Sequence, residues 1–295
     1  MQPPPHNNPL RLAIRKASLY AQLIRFNKPI GTLLLLWPTL SALWIANMGH
    51  PGQHLLLVFV LGTFLTRSAG CVINDYADRD IDRFVDRTRN RPLTTGAVTP
   101  REALLLMLAL LLPACWLVLT TNLLTALLAL VGVFLAGVYP YMKRHISIPQ
   151  FVLGLAFSWG IPMAFAASTG GVSLFAWLIF FANILWVLVY DTIYAMVDRE
   201  DDIRIGVKST AILFGDADTT IIGIMQLMFL VALILIGLRL QPGAIYYCGV
   251  AVVSLLFVYQ QYLIKDRKPG PCLRAFLSNN YVGLTVFLAV FLCYL

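Results

Sequence analysis

The chain has 295 residues, of which 59% are hydrophobic and only 12% are Asp, Glu, Lys or Arg, about half the charged share of an ordinary soluble domain. That apolar load excludes a soluble domain of this size, a disordered chain, a collagen-like repeat and a disulfide scaffold, and leaves an integral membrane protein. The net charge of +8 has to be read by position before it can be taken for a nucleic-acid footprint. The first 28 residues carry Arg11, Arg15, Lys16, Arg25 and Lys28 and no acid. Arg11, Arg15, Gln22 and Arg25 share one helical stripe, which predicts a cytoplasmic basic amphipathic segment lying on anionic lipid, or a plain topology signal. This stretch lacks the compact plan of a signal peptide.

Nine apolar windows follow, each close to the ~20 residues that a spanning helix needs: 29–49, 55–73, 103–120, 123–141, 148–167, 172–190, 219–238, 243–264 and 277–295. Eight hold no Asp, Glu, Lys or Arg, and the second holds Arg67. Pro38, Pro113, Pro140 and Pro162 lie in or at the ends of windows, where neighbouring helices can satisfy freed carbonyls. Cysteine and histidine show no metal-ligand spacing. The expectation is an all-α membrane protein, with nine transmembrane helices in one bundle over residues 29–295.

Twenty of the 22 bases fall in the amino-terminal segment and in alternate connections, all on one side; Arg239 lies on the other side and Arg67 within a span. The positive-inside rule makes that side cytoplasmic, with the amino terminus there. All 14 acids lie on the same side, 13 of them within 74–102 and 191–218. Orientation does not require such concentration, so these two connections are where chemistry is expected.

The second window runs out at Asn74-Asp75-Tyr76-Ala77-Asp78-Arg79-Asp80-Ile81-Asp82. On a continuing helix, Asn74, Asp75, Asp78 and Asp82 share a face while Asp80 points away. The sixth runs out at Asp191, followed by Asp198-Arg199-Glu200-Asp201-Asp202; Asp191, Asp198 and Asp202 share a face if that helix continues, and Glu200 points away. The two acidic segments match at an offset of 120 residues, which predicts a pseudo-repeat of about four helices. Stacked carboxylates repel, more so at a bilayer surface, so a cation must offset them. Oxygen donors without His or Cys select Mg²⁺ or Mn²⁺ over Zn²⁺, and Mg²⁺ commonly binds through a few carboxylates, waters and substrate phosphates. Two clusters facing a diphosphate are a natural pairing, with Arg79, Lys143, Arg144 and Lys208 as phosphate clamps. Arg67 is read as a substrate-anion site, since an intramembrane Arg is functional by default.

At these residues the sequence resembles the UbiA-type intramembrane prenyltransferases, whose hallmarks are NDxxDxxxD after the second helix and DxxxD after the sixth. Lys28-Pro29-Ile30-Gly31, LLLLWPT (33–39), RTRNRPLTTGAVT (87–99), YPYMKR (139–144), DTIYAMVDREDD (191–202) and GVKSTAILFG (206–215) resemble its 4-hydroxybenzoate polyprenyltransferase branch in ubiquinone biosynthesis. The resemblance implies that Asn74, Asp78, Asp82, Asp198 and Asp202 hold two Mg²⁺ ions on a polyprenyl diphosphate, with Asp75 a further ligand candidate and Asp191 close by. It implies phosphate contacts from Arg79, Arg144 and Lys208, and an approach of Arg67 to the aromatic acid. The partners it implies are polyprenyl diphosphate, 4-hydroxybenzoate and membrane lipid, with no nucleic acid and no obligate protein partner. The expected location is the bacterial inner membrane, with the active site on the cytoplasmic side. The alternatives are a prenyltransferase for another aromatic or haem acceptor, and a membrane transporter, which would place charge nearer the bilayer midplane.

Overall fold

The computed structural model describes residues 9–241 and 243–295, and every regular element among them is helical. The chain runs through α1 (Pro9–Leu23), α2 (Ile30–Ala46), α3 (Gln53–Asp78), α4 (Pro100–Leu119), α5 (Leu123–His145), α6 (Pro149–Ser158), α7 (Gly160–Thr169), α8 (Leu174–Ala195), α9 (Arg199–Ile205), α10 (Thr210–Phe214), α11 (Asp218–Leu240), α12 (Ala244–Ile264) and α13 (Pro269–Leu292). Each of the nine apolar windows holds a helix. Among the described residues eight stretches are long and apolar enough to cross a membrane, counting α6–α7 and α10–α11 as one each. The first window falls short: α2 has 17 residues, about 26 Å at 1.5 Å per residue against a hydrocarbon core of ~30 Å.

Capping residues explain several helix starts. Thr99 and Glu102 form a reciprocal capping box at α4, with Pro100 at its first position. Asn122 accepts from the Thr125 N–H at 2.9 Å to open α5, and Ser173 caps α8 in the same way. The fifth window breaks into α6 and α7 at Trp159. Pro162 explains the break: it has no N–H to donate one turn back, and its ring crowds that carbonyl. The Trp159 indole donates to the Leu128 carbonyl at 2.7 Å. Gly160 lets α7 approach α2, since a Cβ there would lie 2.5 Å from Thr39 Oγ1.

The most buried span is α8, whose Trp186, Val187 and Tyr190 pack into the main apolar core. Polar pins hold its neighbours, as where the Trp186 indole donates to Asn279 on α13 at 2.9 Å. On α4 and α5 the pattern inverts: Leu105, Leu112, Trp116, Leu127, Leu130 and Phe134 are exposed. Water would not tolerate an apolar face of this extent, whereas lipid does. The protein is a multi-pass membrane protein. Against this bundle α1 is docked by polar contacts, with Lys16 Nζ 2.6 Å from Glu102 and the Tyr20 hydroxyl donating to it at 3.2 Å. Leu10, Leu12 and Ile14 of α1 stay exposed.

Candidate active site

With 26 residues, α3 is about 39 Å long and overreaches a ~30 Å hydrocarbon core. Its projecting end carries Asn74, Asp75 and Asp78, and the far ends of α5 and α8 come up beside it. Below them opens a cavity of about 2060 Å³, at least twice what a drug-sized ligand fills. Its wall runs along α3 from Asp78 back to Val58, some 20 residues or about 30 Å. Val58, Leu117 and Leu153 line its apolar part, and charged groups line the mouth.

At the mouth Asp75, Asp78, Asp82 and Asp198 each meet a cation. Asp75, 1% exposed, is held by Arg25, whose single Nη2 lies 2.8 and 2.9 Å from its two oxygens. Arg91 bridges Asp75 at 2.9 Å and Asp82 at 2.6 Å. Lys143, at the end of α5, donates to Asp78 Oδ2. In the second cluster Arg87 forks onto Asp198, with Nε at 3.0 Å and Nη2 at 2.5 Å, and stacks over the Tyr194 ring at 4.8 Å. Such charge-assisted forks fix direction as well as attraction. Burial, followed by the neighbouring Asp198 carboxylate, pushes the Asp202 carboxyl up to about 7, while Lys143 and Arg87 pull it down. Lys143 thus acts electrostatically on both clusters. The Lys208 backbone N–H donates to the Lys143 carbonyl at 3.0 Å, and its ammonium donates to the His145 carbonyl at 3.1 Å.

Deeper in the cavity sits Arg67, 11 residues before Asp78, a helical rise of about 16 Å. Its Nη1 donates to Cys71 Sγ at 2.8 Å, and its guanidinium lies over Phe157, 5.5 Å from the ring centroid. It rests against the bare Cα of Gly31 in the first turn of α2. Its Nε is buried and finds no hydrogen-bond partner among the described residues, and neither does the buried Tyr190 hydroxyl. Asp191 lines the same cavity.

The model of the UbiA prenyltransferase family matches residues 35–291. The chain belongs to the UbiA prenyltransferase family. A relative named 4-hydroxybenzoate octaprenyltransferase, from Photobacterium profundum, is 55% identical over 279 residues, covering 95% of this chain and 97% of that protein. The apo structure of a UbiA homologue from Aeropyrum pernix superposes with a TM-score of 0.77 at 25% identity, covering 89% of this chain and 98% of that one. A UbiA homologue from Archaeoglobus fulgidus bound to GPP and Mg²⁺ gives 0.72 at 19% identity, covering 92% and 99%.

Against this UbiA frame, Asn74, Asp75, Asp78, Asp82, Asp191, Asp198, Asp202, Arg67, Lys143 and Lys208 all line the one cavity. Arg79 and Arg144 do not: Arg79 donates to the Tyr76 carbonyl and covers the Tyr76 ring, and Arg144 donates to the Ala77 carbonyl at 2.5 Å, 3.7 Å from Asp78. The helical stacking expected from the sequence also changes. The α3 helix stops at Asp78, and Asp82 rejoins the cluster through a tight turn, a 3₁₀ turn over Asp82–Phe84. Likewise α8 stops at Ala195, and Asp198 is the residue before α9. The matching acidic segments therefore fold differently, one into a 3₁₀ turn and the other into a short α-helix. Asp80 and Glu200 do face solvent, as expected. The sequence pattern does not mark Arg25, Arg87 or Arg91 as site residues. The spacing of Arg87 and Arg91, four apart beside the first cluster, was the available signal.

Among the described residues no three His, Cys, Asp or Glu side chains are gathered closely enough to hold a metal by themselves. The donor set still fits Mg²⁺. The donors are hard oxygens, Asp78 Oδ1 is buried without a hydrogen-bond partner, and Mg²⁺ usually binds through one or two carboxylates while waters and substrate phosphates complete its shell.

Proposed function

We propose that the chain transfers a polyprenyl group from polyprenyl diphosphate to C3 of 4-hydroxybenzoate, releasing diphosphate, in the ubiquinone pathway of a bacterial inner membrane. The observation that carries this reading is the meeting of two aspartate clusters, across Lys143 and Arg87, at the mouth of a long apolar cavity that holds the half-buried Arg67. The 55% identity to a protein named for this activity supports the acceptor. The charge map supports nine crossings with the amino terminus and the site on the cytoplasmic side, residues 1–28 lying along the membrane surface, and a duplicated unit of about four helices.

Mg²⁺, when bound, neutralises the diphosphate and makes it a better leaving group. In this reading Asn74, Asp78, Asp82, Asp198 and Asp202 would hold two Mg²⁺ ions, with Asp75 a further ligand candidate. Lys143 and Lys208 face the phosphate oxygens, and Arg79 and Arg144 reach them by rotating from their present contacts. The prenyl tail fills the apolar part of the cavity, away from water that would capture an allylic cation. Arg67 pairs with the carboxylate of the aromatic acid and holds the ring below the diphosphate. The C1–O bond breaks with its electrons leaving on the diphosphate, C3 of the ring bonds to C1, and the ring proton goes to Asp191, the carboxylate on the cavity wall beyond both clusters. The test is acceptor choice. Membranes containing the chain, given octaprenyl diphosphate, Mg²⁺ and a panel of aromatic acids, should prenylate 4-hydroxybenzoate at the lowest acceptor concentration. Preference for an acceptor without a carboxylate would overturn the acceptor and the role of Arg67.

A further inference from the structure

The helix that carries the second aspartate cluster has no apolar grip on the protein. None of the seven residues of α9 is buried, and Asp198 at its start makes no cap for its own helix. A helix this short does not hold itself, so polar tethers must set its direction. The tether at its first residue is Arg199, whose Nη1 donates to Asp218 Oδ2 at 3.0 Å.

Asp218 is fully buried and opens α11, where it accepts from the Thr219 N–H at 2.6 Å and gains from the positive end of a long helix. A second arginine holds it from the turn between α12 and α13: Arg267 places Nε 2.9 Å and Nη2 2.8 Å from Oδ1. Arg267 Nη2 also donates to the Asp216 carbonyl at 2.7 Å. Three segments that are remote in sequence therefore close on one carboxylate, off the wall of the cavity.

Arg267 adopts a left-handed backbone with φ of +54°, a region that costs an ordinary residue about 1–2 kcal/mol and that glycine enters freely. The same device stands at the first cluster. Arg25, with φ of +59°, follows α1 and donates through Nη2 to both oxygens of the buried Asp75. Each arginine precedes a Lys-Pro step into the next helix, Lys28-Pro29 and Lys268-Pro269.

We infer that Asp218, with Arg199 and Arg267, is a positioning clamp that sets the direction of α9 and so aims Asp198 and Asp202 at the mouth of the cavity. The inference rests on the proposed place of those two aspartates at the diphosphate. Asp218 touches no substrate and acts through Arg199.

The test uses the full chain in detergent, without metal or substrate, and follows amide hydrogen exchange across α9 in Asp218→Asn, Arg199→Gln and Arg267→Gly. Exchange in α9 should quicken about tenfold, the equivalent of about 1.4 kcal/mol, while α8 and α12 stay protected. In turnover assays KM for octaprenyl diphosphate should rise about tenfold and KM for 4-hydroxybenzoate should stay within about twofold. Arg267→Gly is the discriminating variant. If Arg267 served only the turn, glycine would relieve its backbone strain and leave both α9 exchange and the diphosphate KM unchanged, which overturns the clamp. Faster exchange with an unchanged diphosphate KM overturns it too. Should Asp218→Asn fail to fold, the two arginine variants carry the test, because each leaves Asp218 one partner. Exchange is read without turnover, so a wild-type chain that transfers no prenyl group would strike the proposed activity and leave the clamp to the exchange result.

Discussion

Replacing Gly31 by alanine should weaken the aromatic acceptor and spare the prenyl donor. A Cβ at Gly31 would lie 2.5 Å from Arg67 Nη2, 2.7 Å from Nε and 3.0 Å from Cζ. Ordinary contacts begin near 3.5 Å, so the guanidinium would have to withdraw by about 1 Å. The α2 backbone has less freedom to yield than the end of a long side chain, and alanine suits a helix better than glycine. Withdrawal would stretch the bond to Cys71 and shift the guanidinium from its seat over Phe157. A hydrogen bond to a charged group contributes about 1.5–3 kcal/mol; losing roughly half of it costs about 1 kcal/mol, near fivefold in affinity. Steady-state assays in membranes, varying each substrate in turn, should show KM for 4-hydroxybenzoate raised about fivefold in Gly31→Ala and further in Arg67→Ala. KM for octaprenyl diphosphate should be unchanged in both. The double variant should be no worse than Arg67→Ala alone, because both substitutions act through one side chain. A rise in the diphosphate KM instead, or fully additive losses, would refute the assignment of Arg67.

Asp78→Ala and Asp198→Ala should each cut kcat by at least about 100-fold in chains that still purify as folded monodisperse protein, and one silent variant would break the paired-cluster account. Asp202 gives a pH dependence: below about 7 its carboxyl carries a proton that a cation must displace. The Mg²⁺ concentration for half-maximal rate should therefore fall as pH rises through neutrality, and Asp202→Asn should flatten that profile. Lys143→Ala, which removes the ammonium that acts on both clusters, should raise KM for the diphosphate and leave the acceptor KM alone, as steady-state titration of each substrate would report.

The spans were legible because a run of about 20 apolar residues without charge has essentially one stable reading in a chain so poor in charge. The address of the site was legible for a related reason: carboxylates concentrated in two connections are costly without a cation. Where the helices end was not legible. Asp82 and Asp198 join their clusters through turns, which the spacing of the acids alone does not encode. Partners across long separations were equally hidden. Arg25 with Asp75 and Arg267 with Asp218 are 50 and 49 residues apart, and no local pattern ties them. Arg79 and Arg144 sit in the right text but turn to nearby carbonyls, and only the packed fold reveals that.

The central claim is Mg²⁺-dependent prenyl transfer between two aspartate clusters. The most direct measurement is turnover by the purified chain in lipid, supplied with 4-hydroxybenzoate, octaprenyl diphosphate and Mg²⁺. The account predicts 3-octaprenyl-4-hydroxybenzoate and diphosphate in equal amounts, formation that stops on adding excess EDTA, and recovery when Mg²⁺ is restored. Undiminished product in excess EDTA, or no product with every component present, would contradict it.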